Sequence, residues 1–266
     1  MKEYNLRRHH QSKHREKYAQ LEEQTNLVNM PNTLELSLFQ KEKLQYYFKF
    51  LEPNQDGMLE SHSLDRVMKK IFKFTGWAAD NLRALQCIEI HQAFFEILFE
   101  KSEAECGHCG TASLDDWYAI WSHILPGCKG MSNFPVWLRL MPKVLFDMID
   151  RNTDDVLTPD ELFQFYKDMV DLQVDLKDLE KSTHMAYSKM TDNGRYPLNL
   201  DSYEQIFANF LLGRTPHGPG KYIFGCFKHD YGSYQLIQPA ADDDDASASG
   251  LYPKDKRPKK FGVAFT

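Results

Sequence analysis

The sequence predicts an all-α protein made of four repeated helix-loop-helix units. Between about residues 40 and 212, apolar residues recur at spacings of three and four, which is the period of one helix face. One apolar quartet with offsets 0, 3, 4 and 7 occurs four times, as expected of an internal repeat. The quartets are Leu64/Val67/Met68/Ile71, Trp117/Ile120/Trp121/Ile124, Leu162/Phe165/Tyr166/Met169 and Tyr203/Ile206/Phe207/Phe210.

Shorter apolar groups upstream complete three of the units. Each group is separated from its quartet by a twelve-residue loop. The groups are Leu44/Tyr47/Phe48/Leu51, Leu145/Phe146/Ile149 and Ala186/Tyr187/Met190. In the second unit the upstream helix, roughly residues 80–101, is expected to end early, so that its loop is longer or its helix frays.

The composition is that of a globular chain. Of the 266 residues, 42% are hydrophobic and 26% charged, a makeup that excludes disorder throughout. No apolar run approaches the about 18 residues that span a bilayer, so we expect no transmembrane segment. The first ten residues lack the apolar core of a secretory signal, which predicts a cytoplasmic protein. The five cysteines are odd in number and irregularly spaced, so they are expected to stay thiols.

The third loop, residues 150–161, carries the chemistry of a metal site. A twelve-residue loop between helices, with oxygen ligands at positions 1, 3, 5, 7, 9 and 12, is the calcium site of an EF-hand. The ligands predicted for Ca²⁺ are Asp150, Asn152, Asp154, the carbonyl of Val156, Thr158 through a bridging water, and Glu161. Position 6 is Asp155 instead of glycine. Because aspartate tolerates positive φ at modest cost, we expect weakened affinity there rather than loss.

The first two loops depart from this pattern. Loop one, residues 52–63, has Ser63 at position 12 and Glu52, one methylene longer than aspartate, at position 1, so weak binding there stays open. Loop two, residues 105–116, lacks oxygen ligands at positions 3 and 5. Its Cys-Gly-His-Cys run at 106–109 resembles half of a zinc site, but two thiols in a surface loop are the simpler interpretation.

The fourth loop, residues 191–202, has Arg195 at position 5, and a cation among the ligands excludes Ca²⁺. A silent loop can still brace an active one, because EF-hand loops pair through a short strand contact. The expected contacts are Leu59 with Ala112 and Leu157 with Leu198. The predicted organisation is a basic and polar N-terminal extension (1–37), an N-terminal EF-hand pair (38–128), a C-terminal EF-hand pair (129–213) and a tail with acidic and basic blocks (214–266).

Several stretches outside the ligand positions resemble a known family. They are Phe72–Trp77, Asp115–Trp121, Ala186–Asp192 and Pro219–Gly225. They resemble the invertebrate sarcoplasmic calcium-binding proteins and calexcitins, which are cytosolic proteins with four EF-hands, and the resemblance covers about residues 38 to 228. It implies Ca²⁺ buffering or Ca²⁺-dependent signalling, with the first and third sites usually active and the fourth silent. In this chain only the third loop matches in full.

The predicted function is therefore a cytosolic Ca²⁺ sensor or buffer with one dependable site, at which Mg²⁺ is a possible competitor. The alternative is a structural or scaffolding EF-hand protein with vestigial Ca²⁺ binding, which docks on a protein partner such as a cytoskeletal filament. A third hypothesis is a small-ligand carrier, although an ordinary core explains the same aromatic residues. The cavity of such a carrier would be lined by Trp77, Trp117, Trp121, Trp137 and Phe146.

Two classes of function are not expected. The histidines are scattered and no nucleophile elbow or phosphate-binding loop occurs, which argues against an enzyme. The net charge of −6 and the interrupted basic residues near the N-terminus predict no nucleic-acid partner. The sequence leaves the oligomeric state open.

Overall fold

The computed structural model of the protein describes residues 35–107 and 110–229. The predicted N-terminal extension as far as residue 34, the acidic and basic blocks of the tail, and residues 108–109 lie outside the described residues. Within the described ranges the chain forms eight α-helices and two short strands, so the all-α prediction is confirmed. The helices are α1 (Leu38–Phe50), α2 (Ser61–Thr75), α3 (Leu82–Cys106), α4 (Leu114–Ile124), α5 (Val136–Ile149), α6 (Pro159–Gln164), α7 (Leu176–Met190) and α8 (Leu200–Leu212).

Shorter elements complete the chain. A π-helical turn, Phe165–Val170, continues α6, and 3-10 turns occupy Met131–Asn133 and Pro219–Tyr222. The strands are β1 (Leu59–Glu60) and β2 (Thr111–Ala112). None of the helices in the described ranges is both long enough and apolar enough to cross a membrane.

The four helices that leave the loops all begin in the same way. Loop position 9 is the residue that caps the helix, and position 12 is the third residue of that helix. In loop three, the Thr158 hydroxyl accepts a hydrogen bond from the Glu161 amide while the Glu161 carboxylate accepts one from the Thr158 amide, which is a capping box. The corresponding capping boxes are Glu60/Ser63 and Ser113/Asp116. In loop four the Asn199 side chain accepts from the Ser202 amide without the reciprocal bond. Positions 9 and 12 thus have a structural role that does not depend on a metal.

The prediction that the upstream helix of the second unit ends near residue 101 was wrong. Helix α3 continues to Cys106, and Gly107 ends it in the left-handed conformation with φ 75°. The apolar face stops at Leu98, but the following residues favour helix and contain no breaker. Ser102 is buried there, and its hydroxyl donates to the Thr111 carbonyl at 2.8 Å.

Both pairs of loops make the expected contact. Strands β1 and β2 pair in antiparallel register with Leu59 opposite Ala112. In the other pair the Leu157 amide donates to the Leu198 carbonyl at 2.9 Å. All four of these side chains are fully buried, so the loops of each pair are joined at the core.

The segment after α8 packs into the same core as the helices. Phe224 stacks on Tyr47 of α1 with ring centroids 4.6 Å apart. The Gly220 amide donates to Asn209 Oδ1 at 2.8 Å, and a Cβ on Gly220 would lie 2.2 Å from the Phe210 amide nitrogen. Buried side chains of both halves form one cluster, and the proposed division at residue 128 stays a prediction.

Candidate metal centre

Loop three connects α5 to α6 and places its first and last predicted ligands against the core. Asp150 follows the last residue of α5, and its amide donates to the Phe146 carbonyl at 2.8 Å. Asp150 is 1% exposed and Glu161 is 8% exposed, whereas Asn152 and Asp154 are exposed. The loop therefore presents buried carboxylates at its two ends and a polar outer turn between them.

The outer turn is organised by hydrogen bonds to the predicted ligands. Asp150 accepts from the amides of Asp154 at 3.2 Å and Asp155 at 3.3 Å. Asn152 Oδ1 accepts from the Asp154 amide at 2.9 Å, and Asp154 Oδ1 accepts from the Val156 amide at 3.0 Å. These amides wrap the backbone around the side-chain oxygens. Asp155 has φ 63°, so aspartate adopts the left-handed conformation that position 6 requires.

Burial raises the pKa of the Asp150 carboxyl above its ordinary value, since desolvation disfavours the charged form. Hydrogen bonds from the backbone of the outer turn oppose this rise. The Arg83 guanidinium does so as well, with Nη2 4.0 Å from Asp150 Oδ2. A divalent cation bound directly to this carboxylate would compensate its burial better than one arginine at 4.0 Å. Arg83 is also a cation that competes for the same oxygen.

Glu161 makes its hydrogen bonds to the protein itself. Its Oε1 accepts from the Arg151 amide at 3.1 Å, and Oε2 accepts from the Thr158 amide at 2.9 Å and the Thr158 hydroxyl at 2.8 Å. Asp150, Asp154 and Glu161 do not form a group whose ligand oxygens all lie within 4.8 Å of one another. At least one of these three carboxylates therefore has to move before all three can bind one cation. The donors are all oxygens, which is the chemistry that Ca²⁺ and Mg²⁺ select.

Loop one is closed by cations of the protein, a feature that the sequence analysis missed. Arg66, one turn into α2, donates from Nε (3.2 Å) and Nη2 (2.8 Å) to the Glu52 carbonyl. Its Nη2 also donates to Ser63 Oγ at 2.7 Å, and its Nη1 donates to Glu60 Oε1 at 3.0 Å. Lys70 pairs with the Glu52 carboxylate at 2.5 Å. Oxygens at positions 1, 9 and 12 are thus taken by side chains that carry positive charge.

A sequence signal for this arrangement was available. Arg66 and Lys70 lie four residues apart on one face of α2, three and seven residues after Ser63. The Arg66 hydrogen bond is also the main reason that the pKa of Glu60 is lowered. The weak Ca²⁺ site that the sequence left open in loop one is therefore not favoured.

The described residues of loops two and four offer no comparable site. Position 12 of loop two is Asp116, whose Oδ2 accepts from the Ser113 amide at 2.8 Å in the capping box. In loop four, Arg195 points outward, with Nη1 3.7 Å from Asp192 Oδ2 and the side chain 67% exposed. Ser202 at position 12 donates its hydroxyl to the Pro197 carbonyl at 2.9 Å.

The aromatic residues of the small-ligand hypothesis enclose very little space. Three of the five expected residues, Trp117, Trp121 and Trp137, line a cavity with Phe94 and neighbouring aliphatic side chains, and the other two expected residues do not. The void is about the size of one water molecule. Pockets for drug-sized ligands are roughly 300–1,000 Å³, so the structure favours an ordinary core here.

Comparisons with known proteins bear on the family. No protein-family model matches the chain. Two curated relatives from Branchiostoma lanceolatum align over their full length and 68% of this chain. Sarcoplasmic calcium-binding proteins II, V, VI and VII are 23% identical over 196 residues, and proteins I, III and IV are 22% identical over 195 residues.

A solved structure of a protein of the same name has a similar fold. The sarcoplasmic calcium-binding protein from amphioxus matches with a TM-score of 0.55 at 22% identity, covering 72% of this chain and 98% of that chain. This match confirms the all-α fold. In sequence and in fold, the chain is similar to the sarcoplasmic calcium-binding proteins, as the resemblance in its motifs had indicated.

Proposed function

We propose that this protein binds one Ca²⁺ ion in loop three and acts as a Ca²⁺ sensor or buffer. The proposed ligands are Asp150, Asn152, Asp154, the Val156 carbonyl, Thr158 and Glu161. One observation carries the proposal: loop three combines oxygen donors at all six ligand positions with the left-handed residue at position 6. Its relatives are named for calcium binding, which supports the same reading.

The proposed mechanism is that Ca²⁺ neutralises the carboxylates of loop three. Three of the proposed ligands, Asp150, Asp154 and Glu161, are carboxylates. A bound divalent cation offsets their mutual repulsion and the burial of Asp150. In the proposed mechanism, Glu161 turns toward the cation and gives up its hydrogen bonds with the Arg151 and Thr158 amides. Because Glu161 is the third residue of α6, this movement shifts the start of that helix.

The neighbours of α6 favour a sensor over a passive buffer. The π-helical turn that continues α6 contains Tyr166, whose hydroxyl donates to the Tyr222 carbonyl at 2.5 Å. Tyr222 belongs to the segment after α8, and both tyrosines are 1% exposed or less. A shift of α6 would therefore reach the segment that leads into the C-terminal tail. Mg²⁺ competes for the same oxygens, but it demands a tighter octahedral arrangement.

A calorimetric Ca²⁺ titration at cellular Mg²⁺ tests the proposal. The wild-type chain is expected to bind one equivalent, and Glu161→Gln is expected to abolish the binding heat. Glu60→Gln is the matched control, because it makes the same chemical change in the loop that Arg66 already closes. No heat in the wild type, or heat that Glu161→Gln leaves unchanged, would contradict the proposal.

Loop one favours a second candidate function. Because Arg66 and Lys70 hold this loop without Ca²⁺, the N-terminal pair keeps its shape at any Ca²⁺ level. This suits a scaffolding protein that docks on a protein partner. Absence of Ca²⁺ binding in the titration would leave that candidate standing. For either function we propose a cytoplasmic location, since the free thiols at Cys87, Cys128 and Cys226 suit a reducing compartment.

A further inference from the structure

A second cluster of ligand-type side chains lies outside the EF-hand loops. It joins Glu42 of α1 to Cys226 and His229 in the segment after α8. Glu42 Oε2 lies 2.5 Å from His229 Nε2. One ligand atom from each of the three residues lies within 4.8 Å of the other two, and within the described ranges this is the one such group.

The backbone around the cluster is fixed. Gly225 has φ 73°, its amide donates to the Tyr222 carbonyl at 3.1 Å, and the Cys226 amide donates to the Lys221 carbonyl at 3.0 Å. These bonds form a turn that places Cys226 against the core with 1% exposure. The spacing Cys-x-x-His then returns the second ligand to the same side.

Helix α1 holds the imidazole from two sides. Phe39 lies one turn before Glu42, and its ring makes an edge contact with His229 at a centroid distance of 5.5 Å. The carboxylate contacts Nε2 of the same ring. The three side chains thus approach one point from two separate parts of the chain, residues 42 and 226–229.

Two of the three lysines near the cluster donate hydrogen bonds to backbone carbonyls. Lys43 Nζ donates to the Asn209 carbonyl at 3.2 Å and the Gly213 carbonyl at 2.7 Å. Lys221 Nζ donates to the Pro216 carbonyl at 3.1 Å and also to the His229 carbonyl. Lys228 is the third cation near the thiol. A divalent cation bound to one thiolate and one carboxylate gives a neutral centre. The neighbouring lysines would therefore not repel the bound metal strongly.

We propose that Glu42, Cys226 and His229 form a binding site for a divalent cation of the Zn²⁺ class. One sulfur, one nitrogen and one oxygen donor suit Zn²⁺, whereas Ca²⁺ selects oxygen alone. At Zn²⁺ bonds of about 2.0–2.3 Å, ligand atoms are roughly 3.5 Å apart. The Glu42–His229 contact of 2.5 Å therefore has to open by about 1 Å, and the thiol, within 4.8 Å of both ligand atoms, has to approach by about 1 Å at most. Binding releases the thiol proton to solvent, and water completes the fourth position.

This site would have a structural consequence independent of Ca²⁺. If Glu42, Cys226 and His229 coordinate the same metal ion, the segment after α8 is held against α1. The tail that follows residue 229 would then leave the protein from a fixed point. The inference goes beyond the proposed function and does not depend on loop three.

Cobalt is a suitable probe, because thiolate ligation of Co²⁺ produces a charge-transfer absorption that oxygen sites lack. The titration uses the full chain carrying Cys106→Ser and Cys109→Ser, which removes the other cysteine pair, in the presence of saturating Ca²⁺. We expect one equivalent of Co²⁺ to produce the band and Zn²⁺ to displace it. Cys226→Ser should abolish the band, while Cys128→Ser, which removes a half-buried thiol elsewhere, should leave it unchanged.

The other two ligands give an independent check. Glu42→Gln and His229→Gln should each weaken Co²⁺ binding by more than about tenfold, the loss that even an outer-shell partner can cause. Circular dichroism of each variant without metal shows whether it is folded. A folded parent that gives no band would overturn the proposal. A band that persists in folded Cys226→Ser, or unchanged affinity in both Glu42→Gln and His229→Gln, would overturn it as well.

Discussion

Replacing Arg66 by methionine tests whether loop one is held by the protein's own cations. Methionine keeps much of the side-chain volume but removes three hydrogen bonds to neutral oxygens, two to the Glu52 carbonyl and one to the Ser63 hydroxyl. A typical hydrogen bond contributes about 1 kcal/mol net, and less when partly exposed as Arg66 is. We therefore expect the free energy of unfolding to fall by about 1–2 kcal/mol, or roughly 2–8 °C in midpoint for a chain of this size.

The assay is urea unfolding followed by circular dichroism, with a Ca²⁺ chelator present so that only the protein's cations act on the loop. Lys69→Met is the matched control, because it removes an exposed positive charge from the same helix and should cost less than about 0.5 kcal/mol. Equal effects of the two substitutions would refute the assignment of Arg66 as the residue that closes loop one.

Two further predictions concern Gly220 in the segment after α8 and Lys43 in α1. Gly220→Ala should destabilise the protein by about 1–3 kcal/mol in thermal unfolding, because its Cβ would lie 2.2 Å from the Phe210 amide nitrogen, whereas Gly130→Ala, with no atom within 4 Å, should be neutral. Equal melting temperatures would contradict this. Burial lowers the pKa of Lys43 from 10.5 to about 7. Between these two pH values the Lys43 amine is protonated in the unfolded chain but not in the folded one. The free energy of unfolding therefore rises with pH, by up to about 1.4 kcal/mol per pH unit. Lys43→Met should lack this contribution in urea unfolding at pH 7–10; an identical pH slope would count against it.

Local periodicity explains why the fold could be predicted from the sequence. The repeat of three and four places Val67, Met68 and Ile71 on one buried face, and this depends only on neighbours along the helix. Loop length and the pairing of Leu59 with Ala112 follow from the same repeat. The end of α3 could not be predicted this way, because its last turns are helical without an apolar face.

The candidate site could be proposed from the sequence in part, for the same reason. The six proposed ligands of loop three follow from spacing, and spacing is local. The hydrogen bonds of Glu161 with the Arg151 amide depend on how the loop folds back. The closure of loop one by Arg66 depends on side-chain reach across a helix start. The group around Cys226 joins residues more than 180 positions apart, which no local pattern contains.

A Ca²⁺ titration of the backbone amides by nuclear magnetic resonance tests the central claim most directly, because it reports each loop separately. The Asp155 amide donates to Asp150, a proposed ligand, so its chemical shift should change and stop changing at one equivalent of Ca²⁺. The amides of Gly57 in loop one and Gly194 in loop four should stay in place over the same range. Saturating shifts at Gly57 or Gly194 with none at Asp155 would contradict the account.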